Sequence, residues 1–267
     1  MRAVFVEKIK IYQVDAFSSE IFSGNPAAVC PLNDWLPDHV MQSIASENNL
    51  SETAFFINKK GKFFIRWFTP KVEIGLCGHA TLASAHVLCS ELGVQINNIE
   101  FHTNSGDLLN ITHEDDIISM GFPSYAPKQC DQDLNEISEA LGVTPTSFQT
   151  GIYGLAIFQS EKEILNLKPN FHAMKNLRHD GIIATAAGNS VDFVSRFFAP
   201  KLGIPEDPVT GGAHCSLIPY WSDRLAKNKL TARQLSERGG ELYCEQFGDR
   251  VQIGGKAVTY LRGELLI

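Results

Sequence analysis

The hydrophobic and polar positions of this chain predict short strands in two successive sets, each with a helix that follows a glycine-rich turn. In the first half, helical spacing covers Asp38–Asn48 and Gly78–Leu92. Asn49 and Gly93 follow these runs, and both residue types tolerate the left-handed backbone at a helix end. Lys60-Gly61 is a hairpin-turn signal between two strands. The strands predicted in this half are residues 9–17, Ala27–Cys30, Thr53–Ile57, Phe63–Phe68, Ile99–Thr103, Leu108–His113 and Ile117–Phe122.

The second half repeats this order of elements. Helices are expected at Asp133–Leu141, at Asn170–Leu177 and in the run that follows Gly211-Gly212. The strands expected here are Tyr153–Phe158, Gly181–Thr185, Asp192–Phe198, Glu241–Gln246, Arg250–Ile253 and Ala257–Leu266, the last three as an antiparallel meander. A proline-rich polar stretch at 123–131 marks the boundary, so we expect one half at 1–125 and the other at 126–267.

A sequence repeat links the two halves. Arg66 to Lys71 reads Arg-Trp-Phe-Thr-Pro-Lys, and Arg196 to Lys201 reads Arg-Phe-Phe-Ala-Pro-Lys. Each copy leads into a glycine-rich turn and a helix of small residues. We therefore predict an α+β fold made of two copies of one unit, with the working site between them.

Composition narrows the classes of function. The 267 residues are 44% hydrophobic and 20% charged, which is ordinary for a globular protein. A formal net charge of −7 argues against nucleic acid as a partner. No apolar run approaches the roughly 20 residues of a membrane span, so we expect no membrane association. Six scattered cysteines without a CxxC pair indicate neither a metal site nor a disulfide scaffold, and we expect a reduced, cytoplasmic protein.

Two acidic side chains are candidates for chemistry. Glu47 stands in the last turn of a predicted helix, where the negative end of the helix dipole would raise its pKa and suit it to proton transfer. Taken alone, the residues favour an ordinary exposed helix-end glutamate. Asp207 precedes a helix start, where it is either a capping residue or a group that contacts substrate or orients His79.

His79 lies in the first turn of its predicted helix and is either a proton donor or a core histidine bonded to the backbone. His86 and His214 are interpreted as structural. Cys77 precedes the same helix, a setting that lowers the pKa of a thiol, although most isolated cysteines are small buried hydrophobes. The backbone N–H groups at Gly78 and at Gly211-Gly212 could hold a carboxylate, and the alternative is that these glycines form ordinary tight turns.

Six ordered motifs extend along nearly the whole chain, namely Asp15-Ala16-Phe17, Phe22 to Val29, Glu47 to Thr53, Arg66 to Pro70, Leu76 to Thr81 and Glu206 to His214. Together they resemble the phenazine-biosynthesis PhzF-like family. The resemblance implies the diaminopimelate-epimerase-like fold, with two pseudo-symmetric halves that each wrap a mostly antiparallel sheet around a central helix. It also implies a homodimer, no cofactor, and a small carboxylate-bearing substrate isomerised by a proton shift.

The resemblance further assigns roles to individual residues. The general acid/base glutamate falls on Glu47, and its supporting residues fall on His79 and Asp207. Substrate contacts fall on Asn25, Ser51, Gly78, Gly211 and Gly212. The family typically has a serine where this chain has Gly212, so one hydroxyl contact to the substrate is missing.

Two other readings stay open as alternatives. Sister families on this fold use two cysteines as paired bases, and Cys77 matches the first of those positions. The second position holds Thr210, whose hydroxyl is too weak an acid to serve as the partner base. The first alternative is a two-base epimerase or racemase, in which Thr210 would have to serve as the second base. The second is a protein that binds a small carboxylate without transforming it.

Overall fold

The computed structural model describes residues 8–131 and 134–267, and it divides them into two compact units. Of the described residues, one unit comprises those up to Met120 together with Gly255–Ile267, and the other comprises those between Gly121 and Gly254. The predicted boundary at residue 125 differs from this division mainly in its treatment of the C-terminal strand. None of the helices in the described ranges has the length and apolar character needed to cross a membrane.

The first unit is a sheet wrapped around one helix. Its strands are β1 (Lys8–Ala16), β2 (Asn25–Leu32), β3 (Glu52–Lys59), β4 (Lys62–Phe68), β5 (Glu73–Ile74), β6 (Asn98–Thr103), β7 (Leu108–Glu114), β8 (Ile117–Pro123) and the C-terminal β18 (Ala257–Leu266). Its helices are α1 (Asp38–Asn48) and α2 (Gly78–His86). Strands β2 and β3 pair in parallel, as do β4 and β6, and the other pairs within this unit are antiparallel. Helix α2 packs against β1, β2, β3 and β18.

The second unit repeats this order of pairing. Its strands are β9 (Lys128–Gln129), β10 (Ser147–Thr150), β11 (Gly154–Ile157), β12 (Ile182–Ala187), β13 (Phe193–Ala199), β14 (Ile204–Asp207), β15 (Lys229–Gln234), β16 (Gly240–Phe247) and β17 (Arg250–Gly255). Its helices are α3 (Leu134–Leu141), α4 (Glu161–Asn166), α5 (Phe171–Met174) and α6 (Gly211–Leu225). Strands β11 and β12 pair in parallel, as do β13 and β15, and the remaining pairs are antiparallel. Each parallel pair therefore has its counterpart in the first unit.

The repeat extends to side chains. The guanidinium of Arg66 donates two hydrogen bonds to Glu73, at 2.8 and 2.7 Å, and lies 5.2 Å from the ring centroid of Phe68. Arg196 donates two to Glu206, at 2.7 and 2.8 Å, and lies 4.9 Å from the ring centroid of Phe198. Paired donation of this kind fixes the orientation of the carboxylate. In both units it ties the strand that carries the arginine to the short strand before the central helix.

Helix α1 agrees with its prediction at both ends. It spans Asp38–Asn48, and Asn49 adopts a left-handed backbone with φ 51°, which ends the helix. Its apolar residues Met41, Ile44 and Ala45 are buried against Phe55 of β3 and its neighbours. In the second unit, α3, α4 and α5 contribute a comparable apolar layer against β12 and β13.

Some elements differ from their predictions. The helix expected over Gly78–Leu92 is α-helical only to His86 and continues as one wide π-type turn over Val87–Glu91. The helix expected over Asn170–Leu177 shortens to α5, with Asn170 as its N-cap. The predicted helix start at Asp133 lies outside the described residues. Helix α6 begins at Gly211, earlier than the run that predicted it, and contains Pro219.

The predicted C-terminal meander is wrong in its last strand. Strands β16 and β17 pair as expected, but β18 pairs along its length with β1 in antiparallel register. A strand pattern specifies which residues share a face and does not specify the neighbouring strand. Pairing with β1 places β18 in the first unit.

Candidate functional site

The start of helix α2 brings together three buried side chains that can carry charge. Nε2 of His79 lies 3.0 Å from Oε2 of Glu52, and the Cys77 sulfur lies 3.6 Å from Nδ1 of the same ring. Cys77 is the residue before the helix, and His79 lies in its first turn. Glu52 begins β3, against which α2 packs. No described residue donates a hydrogen bond of regular geometry to Glu52 Oε2, so charge is the main attraction between it and His79.

Burial and charge act in opposite directions on these groups. Burial lowers the pKa of His79, but the neighbouring Cys77 and Glu52 outweigh it, and that pKa is raised well above its usual 6.5. Burial also raises the pKa of the Cys77 thiol, ahead of the lowering effect of His79. Of the two readings of Cys77, the small buried thiol therefore fits better than the thiol activated by a helix N-terminus, because desolvation is the larger effect here.

Glu52, Cys77 and His79 have ligand atoms within 4.8 Å of one another, which raises the question of a metal ion. In the described part of the chain, they form the one group of this kind. A histidine ligand must be neutral to donate its lone pair, and a cysteine ligand must be a thiolate. The raised pKa values of His79 and Cys77 favour the opposite protonation state for both. A metal ion at this group would therefore have to displace the protons of both His79 and Cys77.

Glu47, the predicted acid/base residue, differs from Glu52 in its exposure to solvent, since Glu52 is buried. Glu47 is an exposed residue near the end of α1. The amide of Asn48 donates a 3.1 Å hydrogen bond to the Thr53 hydroxyl, which ties the end of α1 to β3. Sequence reasoning did not single out Glu52. The available signal was its position directly before the mostly apolar run Thr53–Ile57, where a carboxylate is expected to have a partner.

The predicted substrate-binding residues of the first unit lie at element starts. Asn25 is fully buried at the start of β2, and Ser51 is half-buried immediately before β3. Gly78 is the first residue of α2. The N–H groups of a first helical turn lack partners within the helix and point beyond its N-terminus. The role of Gly78 in binding a carboxylate stays a prediction.

In the second unit, the turn before α6 is held by a network of hydrogen bonds. The Thr210 hydroxyl donates to Oδ2 of Asp207. The fully buried Gln234, the last residue of β15, accepts from the Thr210 backbone N–H at 2.9 Å. Its amide nitrogen donates to the Asp207 carbonyl at 2.7 Å. Gly211 and Gly212 follow as the first two residues of α6.

The two helices that follow the glycine turns also share an internal bond. In α2, the Thr81 hydroxyl donates to the Cys77 carbonyl at 2.6 Å. In α6, Nδ1 of His214 lies 2.8 Å from the Thr210 carbonyl, which is the same four-residue spacing. His214 is fully buried, and burial lowers its pKa to about 4, so the ring is neutral at pH 7. Its position agrees with the structural role expected for it.

Comparison with known proteins identifies relatives over almost the whole chain. The family described as phenazine biosynthesis-like protein, PhzC-PhzF, matches residues 14–263. A protein of Pseudomonas aeruginosa named an uncharacterized isomerase is 48% identical over 97% of this chain and 98% of its own length. The crystal structure of an Enterococcus faecalis PhzF-family protein has a TM-score of 0.95 at 45% identity, covering 98% of this chain and 100% of that one.

A more distant neighbour shares only the fold. It is a hydroxyproline epimerase from Agrobacterium vitis, with a TM-score of 0.62 at 10% identity, covering 98% of this chain and 92% of that one. The predicted α+β fold of the epimerase type is confirmed by these neighbours. With its motifs, its duplicated topology and these relatives in agreement, the chain belongs to the phenazine biosynthesis-like PhzC-PhzF family.

Proposed function

We propose that this protein is an isomerase that needs no cofactor and moves a proton next to the carboxylate of a small acid. We further propose Glu52 as the acid/base group and His79 as its partner. The observation that carries the proposal is the buried pair itself, with 3.0 Å between Oε2 of Glu52 and Nε2 of His79 at the start of α2. Names given to relatives support the reaction class, since one is named an isomerase and a fold neighbour an epimerase.

The reaction would proceed by transfer of a single proton. The Glu52 carboxylate removes a proton from the carbon beside the substrate carboxylate, and the imidazolium of His79 stabilises the negative charge that develops there. The glutamic acid exchanges its proton with solvent and returns a proton to another carbon, or to the first carbon when the step reverses, so no oxidant or reductant is needed. General acid/base transfer of this kind contributes about 10²–10⁴ in rate.

Glu52 has better support than Glu47 for this role. A buried carboxylate beside a cation keeps its position, and water does not compete for it. Glu47 is exposed and remains the prediction made from sequence. The two carboxylates are close enough in the chain that one motif contains both, so activity measurements on variants must separate them.

The remaining site residues enter the proposal as predictions. We propose that backbone N–H groups at Gly78, Gly211 and Gly212 bind the substrate carboxylate, since first-turn N–H groups suit an anion. Asn25, Ser51 and Asp207 keep their predicted roles as substrate or supporting contacts. The cytoplasmic location and the homodimer likewise remain predictions.

The two alternatives have less support. A two-base epimerase needs a thiolate, and burial raises the pKa of Cys77. Its second base would be Thr210, whose hydroxyl instead donates to Asp207. A protein that only binds carboxylates would keep an anion site but has no need of a buried acid/base pair.

The proposal is tested with a panel of four carboxylates, namely phenylacetate, cyclohex-2-enecarboxylate, L-proline and L-glutamate. Thermal stabilisation is measured first, and proton exchange on each ligand that stabilises the protein is then followed by NMR in heavy water. The proposal expects stabilisation by at least one carboxylate and enzyme-dependent deuterium uptake beside its carboxyl group. Stabilisation without exchange in any ligand would favour the binding protein, and an absence of stabilisation by all four would contradict carboxylate recognition.

A further inference from the structure

We propose that Tyr153 supplies a substrate hydrogen bond at the start of α6, in place of the side-chain hydroxyl that Gly212 lacks. The inference rests on the proposed function, because it names a residue that recognises the carboxylate of the same substrate. Tyr153 would act as a specificity-determining residue. It lies immediately before β11, distant in sequence from α6.

The geometry begins at Gly212. Apart from its chain neighbours and the backbone of its own helix, a Cβ atom built on this residue would have one described heavy atom within 4 Å, the Tyr153 hydroxyl oxygen at 4.0 Å. The space beside the first turn of α6 is therefore open, and the phenol borders it. A side chain at position 212 would lie beside the Tyr153 hydroxyl.

The phenol ring of Tyr153 is held in place by packing against Phe197 and Gly181. Its centroid is 4.6 Å from that of Phe197, and a Cβ at Gly181 would lie 3.1 Å from Cδ1 of Tyr153. The same Cβ would lie 2.5 Å from the Phe197 ring, so position 181 has no room for a side chain. A ring packed in this way delivers its hydroxyl with little loss of conformational freedom on binding.

The Tyr153 hydroxyl is available to a ligand. Within residues 8–131 and 134–267, no side chain or backbone group forms a hydrogen bond with it. Burial raises the pKa of Tyr153, and the charge of Asp207 raises it further. The hydroxyl therefore stays protonated at neutral pH and can donate to a carboxylate at the start of α6, as the first-turn N–H groups do.

The test compares Tyr153→Phe with a matched control, Tyr243→Phe, which removes a hydroxyl from the part-exposed Tyr243 on β16. Affinities for the same four carboxylates are measured by isothermal titration, and melting temperatures show that both variants fold. One hydrogen bond to a charged ligand corresponds to about a tenfold change in affinity. We expect Tyr153→Phe to weaken binding about tenfold and Tyr243→Phe to leave it unchanged.

A second variant makes the test independent of any disturbance caused by Tyr153→Phe. Gly212→Ser should be tolerated, because the added atoms meet open space. Combined with Tyr153→Phe, it should recover a large part of the lost affinity, because it restores a hydroxyl to the same region. Recovery supports the inference, and a double variant that binds no better than Tyr153→Phe alone contradicts it.

The outcomes separate this inference from the proposed function. If the wild-type protein binds none of the four carboxylates, carboxylate recognition fails and the role of Tyr153 fails with it. If the wild type binds and Tyr153→Phe binds equally well, only the role of Tyr153 is overturned. If both tyrosine variants lose affinity equally, the loss is not specific to position 153, and the inference is also overturned.

Discussion

Oε2 of Glu52 lies 3.0 Å from Nε2 of His79, and both side chains are buried. A buried charge is stable only when an opposite charge or strong hydrogen bonds compensate it. Each member of this pair therefore depends on the other. Changing Glu52 should therefore alter both the chemistry of the pair and the protonation of His79.

The first prediction separates the two candidate carboxylates. Glu52→Gln should lower kcat by about 10²–10⁴, which is the usual contribution of a general acid/base group, while binding of the carboxylate persists. Glu47→Gln, on the exposed end of α1, serves as the matched comparison and should stay within a few fold of wild type. Steady-state rates on the panel carboxylate that exchanges fastest provide the measurement. A strong loss of kcat in Glu47→Gln with little change in Glu52→Gln would instead support Glu47 as the acid/base group.

The second prediction concerns the protonation of His79. Its pKa is raised well above 6.5, so the stability that the charged ring contributes is complete below pH 6.5 and is lost as pH rises through the raised value. In Glu52→Gln the negative partner is absent and burial remains, so the pKa of His79 should fall below its value in the wild type. The charge state is measured from the imidazole nitrogen chemical shifts across a pH titration. Equal titration curves for the two proteins would show that Glu52 does not hold the proton on His79.

The third prediction concerns Cys77. Because burial raises its pKa, the thiol is neutral at pH 7 and does not act as a base. Cys77→Ser should keep activity within about tenfold of wild type, since the serine retains a small polar group beside His79. Abolished exchange in this variant, with binding intact, would favour the two-base epimerase. Cys215→Ser provides a matched control at a second buried cysteine.

The fourth prediction is an acid sensitivity carried by His214. Its pKa is lowered to about 4 from 6.5, so the unfolded chain binds a proton in a pH range where the folded protein does not. Stability is therefore full above pH 6.5 and declines as pH falls toward 4, by up to about 3 kcal/mol for a shift of this size. His214→Thr, which copies Thr81 in the first unit, should flatten that decline. The free energy of unfolding, measured by urea denaturation at several pH values, gives the slope, and an unchanged slope would contradict the assignment.

The fifth prediction concerns Gln234, which holds the turn that carries Asp207 and Thr210. Gln234→Met keeps the volume of the side chain but removes its hydrogen bonds with the Thr210 backbone N–H and the Asp207 carbonyl. We expect a loss of about 1–3 kcal/mol in the free energy of unfolding. Gln149→Met, at a part-buried glutamine of β10, should change it by less than about 0.5 kcal/mol. Similar losses in both variants would remove the special role of Gln234.

The duplicated fold and the limits of α1 could be predicted from the sequence alone. Local signals were sufficient for these features, because helix ends, hairpin turns and alternating strands depend on neighbouring residues. The repeated Arg-aromatic-Phe-x-Pro-Lys segment identified the duplication before any coordinates, and the two arginine–glutamate pairs give its structural basis.

Contacts between side chains that are distant in sequence are known only from the tertiary structure. Strand β18 carries a clear strand pattern, but its pairing with β1 is a long-range choice that alternation does not encode. Glu47 and Glu52 lie within one motif, and the structure gives them different exposure. Glu47, near the end of α1, faces solvent, whereas Glu52, the first residue of β3, is buried and faces α2. Burial, rather than the helix N-terminus, likewise controls the direction of the Cys77 pKa shift. Desolvation depends on the atoms that surround a group after folding, and the chain order does not contain that information.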